Sequence, residues 1–196
     1  MRLQRQLKQL FLVDIGTGKQ LSEIKMQGSP RQICIAAAAP CNQIKFIHVH
    51  GSTLTSSSIL DVKHSILGIA RHDDNIVIST DAPTGVEMIT RDGTVVQRIN
   101  NEKAGRKVFE KPLFLTTTSD GSIFVSDWET NTIAKFDLCL NIQQIFLDPM
   151  IKHPMGIIAK GQNQILVCSR NNDSIVLMRT TTNDFQTDER ESPQEA

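Results

Sequence analysis

Residues 112–136, PLFLTTTSDGSIFVSDWETNTIAKF, hold three apolar runs divided by turn residues. Each run is only three to five residues long, and none carries a 3.6-residue period beyond about two turns, so strands are expected rather than helices. Ser119-Asp120-Gly121 parts the first run from the second. An Asp there closes a turn with its own side chain, and Gly supplies positive φ. The outline recurs in LGIARHDDNIVISTDAPTGVEMI (67–89) and PMGIIAKGQNQILVCSRNNDSIVLM (154–178). Anchored on Ile76, Ile123 and Ile165, the copies are offset by 47 and 42 residues. Val86, Ile133 and Ile175 follow their anchors by ten residues, and Ile89, Phe136 and Met178 by thirteen. A weaker fourth copy spans 31–54 around Ile44, and its continuation Thr55-Ser56-Ser57-Ser58 reads poorly as a strand.

Asp92-Gly93 marks a hairpin returning through Thr94–Ile99, and Asp137–Asn141 does the same before Ile142–Leu147. A unit is therefore four antiparallel strands in about 40 residues. One such sheet cannot bury both faces alone, whereas sheets stacked about an axis can. Ile76-Val77-Ile78 and Ile165-Leu166-Val167 lack alternation and read as strands covered on both faces. The fold expected is all-β, a partial β-propeller of about four to five blades. A partial blade spans 10–28, blades span 29–62, 63–100 and 108–148, and a partial blade spans 153–178. Residues 1–9 form an extension, and 179–196 an acidic tail whose composition predicts disorder. About 17 strands are counted where a six-bladed ring needs roughly 24, so the chain reads as part of a longer ring whose open edges invite self-association.

Composition narrows the function. The 196 residues carry 21 Lys+Arg and 21 Asp+Glu, without the basic excess of a dedicated nucleic-acid or anionic-membrane binder. No run is apolar over the roughly 18 residues that span a bilayer. Isoleucine (22) outnumbers leucine (15), a β-branched surplus that favours strands. Cys34, Cys41, Cys139 and Cys168 lack the spacing of a zinc knuckle. Cys34, Cys139 and Cys168 lie in or beside apolar runs and read as buried thiols of a reducing compartment. The apolar stretch Leu10–Val13 is too short for a signal peptide, so the cytoplasm is expected.

Phe124-Val125-Ser126-Asp127-Trp128-Glu129-Thr130-Asn131-Thr132-Ile133 is similar to the second half of an NHL-type repeat, and His153-Pro154-Met155-Gly156-Ile157 to its opening. The stretch RQICIAAAAPCNQIKFIHV followed by a Gly-Ile-Ala segment resembles the C-terminal propellers of invertebrate tripartite-motif proteins. The resemblance covers about residues 10–178. It implies a six-bladed ring and a role in choosing substrates for a RING-type ubiquitin ligase. The RING, B-boxes and coiled coil of such proteins have no counterpart in this sequence. Ser79-Thr80 and Cys168-Ser169 replace the Ser-Asp step in two blades, so the turn-capping role of Asp127 carries over to one blade only.

Candidate chemistry is sparse. No phosphate loop, nucleophile elbow or H-E-x-x-H motif occurs, so no catalytic residue and no cofactor are assigned. His48 and His50 share one strand face, but no third metal ligand is placed. Asp127 with Asn131 offers too few oxygens for Ca²⁺, which takes six to eight, and reads as a turn cap. The rival enzyme class, a metal-dependent propeller lactonase or lyase, has only these groups to draw on. The loops joining second to third strands, and blade to blade, share one face of a propeller. That face gathers Asp81, Trp128, Glu129, Asn131, His153, Arg170 and Asn171, with Lys103, Arg106 and Lys107 from the basic segment 98–111. Trp128 beside Arg170 predicts a protein-binding hot spot, or alternatively a wedge between blades. The basic segment, with Phe109 as its one stacking group, is the candidate for RNA. A non-catalytic protein-recognition module is the expectation favoured by these residues.

Overall fold

The structure, a computed structural model, describes residues 9–13, 20–25, 36–38, 42–50, 53–100, 102–103, 106–161 and 163–180. Strands β1 (Gln9–Val13) and β2 (Gln20–Lys25) pair as a hairpin. β3 (Ala36–Ala38), β4 (Gln43–His50) and β5 (Thr53–Asp61) form a three-stranded sheet. β6 (Ile66–His72), β7 (Asn75–Thr80), β8 (Gly85–Ile89) and β9 (Val95–Asn100) form a four-stranded one. A two-residue hairpin, β10 (Glu102–Lys103) and β11 (Arg106–Lys107), leads into the second four-stranded sheet. That sheet comprises β12 (Pro112–Thr117), β13 (Ile123–Asp127), β14 (Thr132–Phe136) and β15 (Ile142–Leu147). β16 (Pro154–Ala159), β17 (Gln164–Ser169) and β18 (Ser174–Arg179) complete the series.

Among the described residues every pairing is antiparallel between strands consecutive in sequence, and the sheets do not close a ring. β12 lies between β6 and β16, so the sheets fan out from their first strands. The protein is an all-β partial propeller. Register shifts interrupt β6 between Ile66 and Gly68, β12 between Pro112 and Leu115, and β16 between Pro154 and Gly156. The irregularity recurs near the start of each first strand, so it belongs to the repeat. Gly68 marks the tightest approach: a Cβ there would drive into the Leu113 carbonyl oxygen of the neighbouring blade.

The core is a series of inter-blade seams. Ala70, Val77, Val86 and Met88 of one blade meet Leu115, Ile123, Val125 and Phe136 of the next. Phe124, Ile133 and Phe146 then meet Ile157, Ile165, Val167, Val176 and Met178. On the other side, Ile69, Ile76, Ile78 and Ile89 pack with Ile44, and with Phe46 and Leu60 at the margin. Ile76-Val77-Ile78 is thus buried on both faces, as its lack of alternation predicts.

Four expectations are corrected. The run Ile165-Leu166-Val167 is covered on one face only. Ile165 and Val167 are fully buried, Leu166 is half-exposed, and Ile158 and Ile175 beside it are 60% and 66% exposed. An apolar run marks a strand able to be covered on both faces, but it cannot supply the second cover. Cys139 and Cys168 are exposed rather than buried. Cys139 sits in the β14–β15 turn, where Asp137 Oδ1 accepts from its N–H (2.9 Å), and Cys168 lies on the uncovered face. Thr55–Ser58 does lie within a strand, β5, held by register with β4 while its side chains face solvent. Phe109 is 1% exposed and packs at a tilt against Phe136 (5.7 Å between centroids), so its ring is not open to a base. Cys34, Cys41, the side chains of His48 and His50, and the tail beyond Thr180 lie outside the described residues.

The turns opposite the candidate face share one construction. Thr90-Arg91-Asp92-Gly93-Thr94 and Thr118-Ser119-Asp120-Gly121-Ser122 each place Gly at positive φ, and the Thr hydroxyl donates to the Asp carboxylate. In 137–141, Asp137 Oδ1 accepts from the N–H groups of Cys139 and Asn141 at 2.9 and 2.8 Å, and Leu140 takes the positive φ. These bonds hold all three carboxyls below the usual carboxylate range. The Thr90 hydroxyl is the main cause at Asp92, the Thr118 hydroxyl at Asp120, and the Asn141 N–H at Asp137.

Candidate functional site

The site is built around Asp127, the last residue of β13. Its carboxylate is 1% exposed yet fully hydrogen-bonded. Oδ1 accepts from the N–H groups of Glu129 and Thr130 (both 3.1 Å), the predicted cap of the β13–β14 turn. Oδ2 accepts from Glu110 N–H at 2.8 Å, and Lys111 N–H points to both oxygens at 3.2 Å. One side chain therefore fixes both the turn carrying Trp128 and the segment entering the blade. A buried carboxylate is tolerable only with such donors. Ser169, at the equivalent place in β17, keeps half of this role. It accepts from Lys152 N–H (2.6 Å) and has the Lys152 carbonyl at 2.8 Å, holding the incoming segment but capping no turn. The motif-based reading, a cap in one blade only, holds for the turn and misses the grip on the linker.

Trp128 reaches from this turn to the next blade. Its ring meets the His153 imidazole edge-on (4.6 Å between centroids, 76°), and the Arg170 guanidinium lies over it at 5.4 Å. Asn131 Oδ1 accepts from His153 N–H at 2.7 Å, and Asn171 Nδ2 lies 2.9 Å from His153 Nδ1. The repeat places His153 on this face without a role, and the structure makes it the hub joining Trp128, Asn131 and Asn171. Trp128 remains half-exposed, so wedge and exposed aromatic are one residue in two roles. Of the five non-glycine residues at positive φ among the described residues, Asn131 (58°) and His153 (50°) lie in this cluster, and Asp173 (46°) in the turn that carries Arg170. Departures of this kind concentrate at functional sites.

Of the other predicted residues, Glu129 shares the Trp128 turn, and Asp81, Lys103, Arg106 and Lys107 lie on other segments. Glu129 approaches Lys111 at 3.8 Å. Asp81 is exposed in the β7–β8 turn, where its N–H donates to the Ser65 carbonyl (3.3 Å). Lys103 and Arg106 pair in register across the β10–β11 hairpin, and their side chains lie outside the described residues. Lys107 Nζ is bound to Glu110 at 2.5 Å.

A further cluster escaped the sequence altogether. Glu87 in β8 is almost fully buried, bonded to Arg98 of β9, with His64 Nε2 3.5 Å away. The register pair Glu87–Arg98 was available from the hairpin spacing, but not its burial. Among the described residues no group of three His, Cys, Asp or Glu side chains could hold a metal ion.

These seams, registers and recurrent turns define a β-propeller, and comparison with solved structures agrees. A protein of unassigned function from Desulfotomaculum acetoxidans superimposes with a TM-score of 0.68 at 14% identity, over 95% of this chain and 63% of that one. Virginiamycin B lyase from Staphylococcus aureus gives 0.61 at 15%, over 97% and 66%. The Myceliophteria thermophila Cps50 (Swd1) β-propeller domain gives 0.65 at 14%, over 92% and 65%. The chain thus spans just under two thirds of the length of these structures. At such identities the likeness is one of fold, shared by an enzyme and by a propeller with no activity in its name. No family model matches the sequence, and no curated protein matches it.

Proposed function

We propose that the chain is a non-catalytic recognition module that holds a protein partner on the face formed by Trp128, His153 and Arg170. The observation that supports this is the construction of that cluster. A half-exposed tryptophan, the residue type most enriched at binding hot spots, is braced by residues of two blades and carries an arginine on its ring. The carboxylate beneath the turn, Asp127, is consumed by backbone donors. A photo-crosslinker at Glu129 should capture a partner, and Trp128→Ala should abolish capture. A crosslinker at Asp74, on the opposite face, should capture none. Equal capture from both positions would refute this face. The finer assignment, substrate selection in a tripartite-motif ubiquitin ligase, rests on the sequence resemblance alone, and a cytoplasmic location on the cysteines and the short N-terminal apolar stretch.

Two other readings belong here. RNA binding through Lys103, Arg106 and Lys107 is disfavoured by the buried Phe109 and by the Lys107–Glu110 pair. Self-association is favoured by the exposed Ile158 and Ile175 on the uncovered face of β16–β18.

A further inference from the structure

Resting on the proposed recognition face, we infer that Arg170 is the seat for a carboxylate of the partner protein, an Asp or Glu side chain or a chain terminus. Other cations are paired, Arg98 with Glu87, Lys107 with Glu110 and Lys111 with Glu129, whereas Lys152 beside His153 is exposed and has no carboxylate partner among the described residues, but its ammonium lacks the planar fork of an arginine. Arg170 has no carboxylate within 4.0 Å among the described residues, although Asp173 lies in its own turn. Its fixed contact is the Trp128 ring.

That contact decides the chemistry. Arg170 lies over the Trp128 ring, and the N–H groups of a guanidinium all lie in its own plane, so on this exposed side chain they remain available to an acceptor. A planar carboxylate can then be met by two parallel hydrogen bonds. Part of the entropy of ordering a long side chain is lost in advance where Arg170 rests over Trp128, itself braced by His153. The neighbouring amides do not compete for the ligand. Asn171 Nδ2 is turned to His153, and Asn172 Nδ2 donates to the Met150 carbonyl at 2.8 Å. Glu129 in the Trp128 turn and Asp173 beside Arg170 disfavour a polyanion, so a single carboxylate fits better than a run of phosphates.

Trp128 is the only tryptophan of the chain, so its emission reports on this site directly. The full chain is titrated with a blocked Ser-Glu-Glu-Ser peptide, its Ser-Gln-Gln-Ser counterpart and a single-stranded oligouridylate. The Glu peptide should change Trp128 emission saturably and more weakly at higher salt, while the Gln peptide should bind at least about tenfold more weakly. Arg170→Lys keeps the charge but loses the planar fork, and should also cost about tenfold. Arg170 is exposed, so an unchanged thermal midpoint verifies that the variant is folded. Equal binding of the two peptides that is lost in Trp128→Ala would overturn the carboxylate seat and leave the recognition face standing. Tighter, Arg170-dependent binding of the oligouridylate would overturn both. Silence of every probe up to about 10 mM, where any interaction would be weaker than about 3 kcal/mol, overturns the seat. The recognition face is then judged by crosslinking alone.

Discussion

The blades β6–β9 and β16–β18 carry the same repeat and end in different environments. Ala70, Val77, Val86 and Met88 lie buried in the seam with the next blade. Their equivalents by register are Ile158, Leu166, Ile175 and Leu177, of which Ile158 and Ile175 are exposed and the two leucines only partly buried. Apolar patterning therefore states which face a strand offers, while the neighbour decides whether the offer is taken up. The two blades also differ in their polar joints. Asp127 fastens β12–β15 through four N–H groups, whereas Ser169 fastens β16–β18 with one hydroxyl.

Four measurements would break or sharpen this contrast. The largest effect should come from Phe124→Ala, which empties a fully buried site in the last seam and should cost about 3–5 kcal/mol in denaturant unfolding. The register-equivalent Leu166→Ala should cost below about 1 kcal/mol, because its face meets solvent. Similar losses at both sites would mean that something covers the outer face. Next, Asp127→Ala leaves buried N–H groups without an acceptor and should cost about 3 kcal/mol, against about 1 kcal/mol for Ser169→Ala. An equal cost for the two would show that the grip on the linker, rather than the turn cap, carries the energy.

Smaller still is the acid response. Asp92, Asp120 and Asp137 titrate lower when folded than when unfolded. Their contribution to stability is fully present above the ordinary value of 3.8, and it disappears as the pH falls through the depressed folded values. These turns lie in the two four-stranded blades, while the β16–β17 turn at 160–164 holds no acid. Hydrogen exchange at pH 3 against pH 6 should therefore loosen β8–β9, β12–β13 and β14–β15, and spare β16–β17. Thr90→Val should blunt the effect at the first of these. Smallest in stability is Ile175→Lys, expected within about 0.5 kcal/mol of the parent. Sedimentation should show less self-association in that variant, and an unchanged profile would remove the uncovered face as its cause.

The repeat was legible because a period near 40 residues, Asp-Gly turns and short β-branched runs are local facts. Trp128, Arg170 and Asn171 could be assigned to one face by counting strands, since an antiparallel meander sends alternate turns to opposite sides. Their convergence on His153 could not be counted. It requires the lateral offset between blades, and the positive φ of His153 and Asn131 leaves no periodic mark. Cys139 and Cys168 were misread for a related reason. An apolar neighbourhood in sequence says nothing of which side of the sheet is covered.

The order of the chain determined the strands, their pairing and the chemistry of each face, because all of these follow from alternation and turns within reach of a few residues. Only the packing of blade on blade decided which faces lost their water, which carboxylate found four donors, and which arginine came to lie over the tryptophan. Those outcomes depend on groups brought together from distant parts of the chain.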